Sequence, residues 1–121
     1  MTNAINKKVI NLNYLIDLSK GNAAFVQEMI QTFLIENPKE IKSLEEGVQK
    51  KDFEAIRQAA HLLQSTIPFM GLDKIISGEI SEIQKIAISA HTRNSEMEKI
   101  ETFFSKIKEV CEIACQELKS I

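Results

Sequence analysis

The sequence is poor in the residues that cut a chain into short pieces. It holds four Gly and two Pro in 121 residues, which leaves few turns and calls for long elements. Strict alternation of apolar and polar residues is nowhere sustained, so half-buried strands are not expected. There is no run of Lys and Arg on one face, and the net charge is −2. A nucleic-acid backbone needs a row of cations to displace its counterions, so nucleic-acid binding is excluded as a function. No apolar run approaches the length of a membrane span, and the polar start MTNAINKKVINLN has no signal-peptide core. A cytoplasmic protein without membrane association is the expectation. Cysteine is scarce too. Cys111 and Cys115 lie one helical turn apart, with no His or carboxylate partner nearby in sequence. Such a pair makes a weak ligand set, so small residues at the edge of a core are expected rather than a metal or redox centre.

What remains is ordinary for one globular domain: 44% hydrophobic and 26% charged residues, in a chain long enough to bury a core. Helical periodicity runs through most of it. A short first helix is expected after Asn11 or Asn13, through Tyr14, Leu15 and Leu18, closed by Gly21 in a left-handed conformation. Asn22 then caps a long second helix burying Val26, Met29, Ile30, Phe33, Leu34, Ile41, Leu44 and Val48. Pro38 interrupts that helix, yet the apolar phase survives it, which predicts one kinked helix rather than two. Lys50-Lys51-Asp52 forms a tight connection, with Asp52 capping the third helix.

A fourth helix from Asp73 is expected to bury Ile75, Ile76, Ile80, Ile83 and Ile86 or Ala87, with Gly78 costing up to about 1 kcal/mol in its interior. His91 to Asn94 reads as a loop, and Ser95-Glu96-Met97-Glu98 as a capping box. The last helix then buries Ile100, Phe103, Ile107, Val110, Ala114 and Leu118. Short loops make sequence neighbours antiparallel, so the fold class is all-α: an up-and-down four-helix bundle with a short accessory N-terminal helix. Residues 1–121 are expected to form one domain, with 1–10 a flexible arm.

The third helix organises the rest. In FEAIRQAAHLLQSTIPFMGL the apolar residues Phe53, Ile56, Ala60, Leu63, Ile67 and Met70 recur every three or four positions and draw one buried stripe. His61 projects roughly 130° from that stripe. The helix should end or bend at Pro68, with Gly71 closing it. A well-anchored helix thus holds an imidazole on its outer surface.

Here the chain resembles a known family, the histidine-containing phosphotransfer (HPt) domains. These have the same five-helix order and mark the active helix with His-x-Leu-Lys-(Gly/Ser)-(Ser/Ala), followed about ten residues on by Leu-Gly or Met-Gly. The matching segment is His61-Leu62-Leu63-Gln64-Ser65-Thr66, closed by Met70-Gly71-Leu72. The stretch from Ile10 to Gly71 carries the likeness, and beyond it only the presence of two more helices does.

The resemblance implies a phosphorelay intermediate of two-component signalling, not an enzyme with its own ATP site. His61 would accept a phosphoryl group from a receiver-domain phosphoaspartate and pass it to another receiver aspartate. The implied partners are response-regulator receiver domains and a hybrid histidine kinase. No cofactor is implied for this chain, since the Mg ion is expected on the receiver; a free-standing monomer is the expected state. The chemistry fits an imidazole, which keeps a nitrogen lone pair at neutral pH and attacks phosphorus when the electrophile is delivered in line.

The family's lysine three residues past the histidine is replaced by Gln64, which donates hydrogen bonds but brings no charge. Arg57, one turn before His61, is the candidate to supply it. Ser65 keeps the small side chain that a partner's approach requires. Leu62 and Gln58 are candidate partner-binding residues. Thr66 is bulkier than the family's Ser or Ala, and Pro68 is unusual there. The alternative is a receiver-docking helical module that transfers weakly or not at all.

Overall fold

The computed structural model describes residues 8–89 and 94–121. Five α-helices follow one another: α1 (Asn13–Ser19), α2 (Ala23–Lys50), α3 (Phe53–Thr66), α4 (Asp73–Ile88) and α5 (Asn94–Lys119), with a 3₁₀ turn at Ile67–Met70 after α3. α2 packs on α3, α3 on α4, α4 on α5, and α5 back on α2, which closes a four-helix bundle. α1 lies outside it against α2 and the 3₁₀ turn, where the ring of Tyr14 meets that of Phe69 at 6.1 Å.

The boundaries follow from local chemistry. Asn22 accepts a hydrogen bond from the Phe25 amide, and Asp52 accepts one from Ala55, each satisfying a donor at the open end of its helix. The turn before Asn22 is left-handed at both Lys20 (φ 52) and Gly21 (φ 85). α1 has Leu12 at its cap position, and Asn11 instead receives the Asn13 amide. α2 runs unbroken through Pro38. α5 begins at Asn94, so the expected loop at 91–94 ends a residue early; residues 91–93 and the Ser95 side chain lie outside the described part. Of the expected arm, residues 1–7 also lie outside it, while the Val9 and Ile10 amides donate to the Glu117 carboxylate of α5 at 3.0 to 3.1 Å.

The core follows the apolar stripes. Leu44, Ile56, Ala60, Leu63, Ile67, Met70, Ile76, Ile80, Ile83, Ile100 and Ile107 are all fully or almost fully buried. In α5 the buried aromatic is Phe104, and Phe103 is only half-buried, because the buried positions Ile100, Phe104, Ile107, Cys111, Ala114 and Leu118 alternate steps of four and three.

Asn37 and Glu40 also sit inside, at 2% and 7% exposure. The Asn37 amide contacts both cysteines, donating to Cys111 Sγ at 3.5 Å and accepting from Cys115 Sγ at 3.8 Å. Burial pushes the Cys111 thiol up to about 12, and a protonated thiol is a poor metal ligand and a poor nucleophile. No cluster of three metal-ligating side chains occurs among the described residues.

Gly78 lies exposed in the middle of α4, and a Cβ there would meet nothing within 4 Å. Gly78→Ala should therefore stabilise the protein by about 0.5 to 1 kcal/mol, because Ala loses less backbone entropy on folding and meets no obstacle. Urea unfolding would register this as a higher midpoint at unchanged slope; an unchanged or lower midpoint would refute it.

Candidate functional site

α3 is anchored along one side by Ile56, Ala59, Ala60 and Leu63, and the opposite side presents the site. His61 is exposed, and its ring makes no hydrogen bond within the described residues. Gln58 and Ser65, one turn to either side, are exposed as well, as is Leu62 at 49%. These four side chains form one continuous surface on the outer and α2-facing sides of α3. The Ser65 hydroxyl donates back to the Leu62 carbonyl at 2.7 Å, which keeps its small bulk against the helix.

Arg57 is placed otherwise than expected. Its guanidinium does not turn toward the imidazole but grips Glu54, with Nε donating to Oε1 at 3.0 Å and Nη2 to Oε2 at 2.6 Å. Gln58 adds a third hydrogen bond to the same carboxylate at 3.0 Å. The hydrogen bonds from Arg57 hold the Glu54 carboxyl below its ordinary range. Both partners stand in solvent, at 39% and 63% side-chain exposure, where water and salt screen their attraction. The spacing Glu54-x-x-Arg57 announces this pair in the sequence.

Gln64 turns toward α4. Its side chain is half-buried between α3 and α4, donating to the Ser77 carbonyl at 3.0 Å and to Ser81 Oγ at 2.9 Å, and accepting from Ser77 Oγ at 3.1 Å. Both amide protons are committed to α4, so Gln64 ties two helices together instead of standing free beside His61. Sequence reasoning on one helix had no access to Ser77 and Ser81. Thr66 points toward α2, its hydroxyl 3.1 Å from Glu40 Oε1 and 3.3 Å from the Leu63 carbonyl. Pro68 is the second residue of the 3₁₀ turn, and Gly71 (φ 73) ends it, its amide donating to the Pro68 carbonyl at 3.0 Å. A Cβ on Gly71 would come within 2.5 Å of the Asn11 carbonyl oxygen and 2.7 Å of Asn11 Cβ. The glycine is thus required twice, by its conformation and by the chain passing over it.

Glu40 was missed in sequence. Burial raises its carboxyl pKa above 4.5; the Thr66 hydrogen bond opposes this, and Glu36 adds to it. The folded state therefore prefers the proton: that stability is fully present below about 4.5 and is lost as pH rises through the raised value. Glu40→Gln keeps an acceptor for Thr66 and removes the charge. It should raise the thermal midpoint at pH 7 to 8, with the gap to wild type closing as pH falls below 4.5. A gap that is constant across pH would contradict this.

With this geometry in view, the family comparison is decisive. The model of the Hpt domain matches residues 28–119, about three quarters of the chain, and the chain belongs to the Hpt domain family. Hpt domains are phosphotransfer intermediates of two-component phosphorelays; they have no ATP site of their own and work with response-regulator receiver domains. No curated protein and no solved structure matches the chain. Among the described residues no helix is long and apolar enough to cross a membrane.

Proposed function

We propose that His61 is the phosphoacceptor of this Hpt domain, taking a phosphoryl group from a receiver phosphoaspartate and passing it to a second receiver. The observation that carries this reading is an exposed imidazole without a hydrogen bond among the described residues, held on a helix whose other side is packed against the core. A ring nitrogen attacks the phosphorus. The N–P bond forms as the bond from phosphorus to the aspartyl oxygen breaks, and the carboxylate leaves with the electron pair. The other ring nitrogen keeps its proton or yields it to water. The second receiver runs the same exchange in reverse. What this chain supplies is position, which is most of what phosphoryl transfer asks of a protein.

Arg57 balances the charge of the phosphorylated state. A phosphoryl group brings about two negative charges, more than the single carboxylate of Glu54, and the exposed pair is weak enough to exchange. Gln64 acts indirectly, by fixing α3 on α4. Ser65 leaves room for the partner, and Leu62 and Gln58 meet it. The chain works as one domain over 1–121, as a cytoplasmic monomer, with a hybrid histidine kinase upstream and the Mg ion on the receiver.

The commitment of Gln64 to α4 favours a second reading, in which the bundle docks receivers and transfers weakly or not at all. Incubation with receiver domains phosphorylated by their kinase separates the two. Acid-labile label appearing on this chain supports the first reading. Receivers that bind it but leave it unlabelled support the second.

A further inference from the structure

We propose that the cleft between α2 and the C-terminal end of α3 receives a lysine side chain of the docked partner, with Glu40 binding its ammonium group. The inference rests on the docking of receivers at His61. The cleft holds about 120 Å³ and is walled by Met29, Phe33, Phe69 and Met70, with Glu40 and Thr66 as its polar end. No Lys or Arg lines it, and among the described residues Glu40 takes part in no ion pair.

Glu40 is nine-tenths buried, and among the described residues its one side-chain hydrogen bond is the Thr66 hydroxyl on Oε1. A carboxylate has room for about four such bonds. A buried acid left this short is costly to ionise, and a cation delivered into the cleft offsets that cost. Glu36, on the rim, adds negative charge, partly answered by Lys39 at 3.6 Å.

The shape selects the occupant. Apolar walls suit an aliphatic stem, and a charged end group suits Glu40. Because Thr66 already occupies one acceptor position of Oε1, Oε2 alone has both positions open, which serves the compact ammonium of lysine better than the two-pronged grip of arginine. The position selects the source. Thr66 stands one turn beyond Leu62 on the same side of α3, about 7.5 Å along the axis from His61. A partner covering about 800 Å² spreads over a disc roughly 16 Å in radius, so one centred on His61 reaches the cleft.

The test uses the full chain with its methionine methyl groups labelled for NMR. Titration with n-butylammonium, a lysine side-chain mimic, should shift Met29 and Met70 saturably and leave Met97 in place. Butan-1-ol should bind at least tenfold more weakly, and Glu40→Gln should abolish the n-butylammonium shifts. That variant, expected to be at least as stable at neutral pH, should also bind the receiver about tenfold more weakly in calorimetry. Absence of saturable shifts, or shifts that persist in Glu40→Gln, would overturn the cleft's assignment. Amine binding with unchanged receiver affinity would replace the partner's lysine by a free amine, and so overturn the occupant. If no receiver binds the wild-type chain, the docking reading fails and the occupant with it, while the amine titration still reports on the cleft alone.

Discussion

Replacing His61 by Gln is expected to bring phosphoryl transfer from a receiver to this chain down to background, with no loss of fold. The group removed is the nucleophile itself, and an amide nitrogen, whose lone pair is delocalised, cannot take its place. Because His61 is exposed and makes no hydrogen bond within the described residues, its loss should change stability by no more than about 0.5 kcal/mol. The pairing of the two results matters. A drop in label together with a drop in the thermal midpoint would describe a damaged bundle, whereas label that persists on the variant would remove His61 from the chemistry altogether. Receiver affinity should survive the substitution in large part, since Leu62, Gln58 and the α2 side of α3 are untouched.

The second large effect is expected at Gly71, ten residues further on. Gly71→Ala should cost about 2 to 4 kcal/mol. Holding a non-glycine residue in the left-handed region costs about 1 to 2 kcal/mol, and the new methyl group would press on the Asn11 backbone, which can yield only by moving the segment it belongs to. That segment is tied down by the Asn11 amide bonded to the Met70 carbonyl at 2.9 Å and by the amides of Val9 and Ile10 on Glu117. The substitution therefore sets the lead-in to α1 against the 3₁₀ turn. Amide exchange should show Asn11 losing protection before the α3 and α4 amides do. A loss of less than about 0.5 kcal/mol would mean that the lead-in gives way freely, and that Gly71 is not a constraint on the fold.

These two residues also mark what could be read from the chain beforehand. The helices themselves were legible, because their signals are local: Asn22 and Asp52 act as caps where expected, α2 persists through Pro38, and the stripe from Ile56 to Met70 is buried. The outward direction of His61 follows from the same stripe. What the sequence did not disclose is where the polar side chains around it find their hydrogen-bond partners. Gln64 finds its partners 13 and 17 residues away on α4, and no pattern within α3 discloses that. Arg57 is held by Glu54 three residues before it, a pairing open to local reasoning.

Glu40 lies between these cases. Ile30, Phe33, Asn37, Glu40, Leu44 and Gly47 step along α2 by three and four, and all are buried. Two polar residues thus occupy core positions, a conflict between pattern and chemistry visible in the sequence, and such conflicts gather where a protein binds something. Neither Thr66 nor the cleft beside it could be inferred from that conflict alone.

The measurement that tests the central claim most directly is the location of the phosphoryl group. The sequence offers two histidines, His61 and His91. After transfer from a phosphorylated receiver, peptide mapping by mass spectrometry under alkaline conditions, which preserve phosphohistidine, should place the added phosphate on His61 and leave His91 unmodified. Phosphate found on His91, or on no histidine while the receiver loses its own, would contradict the account.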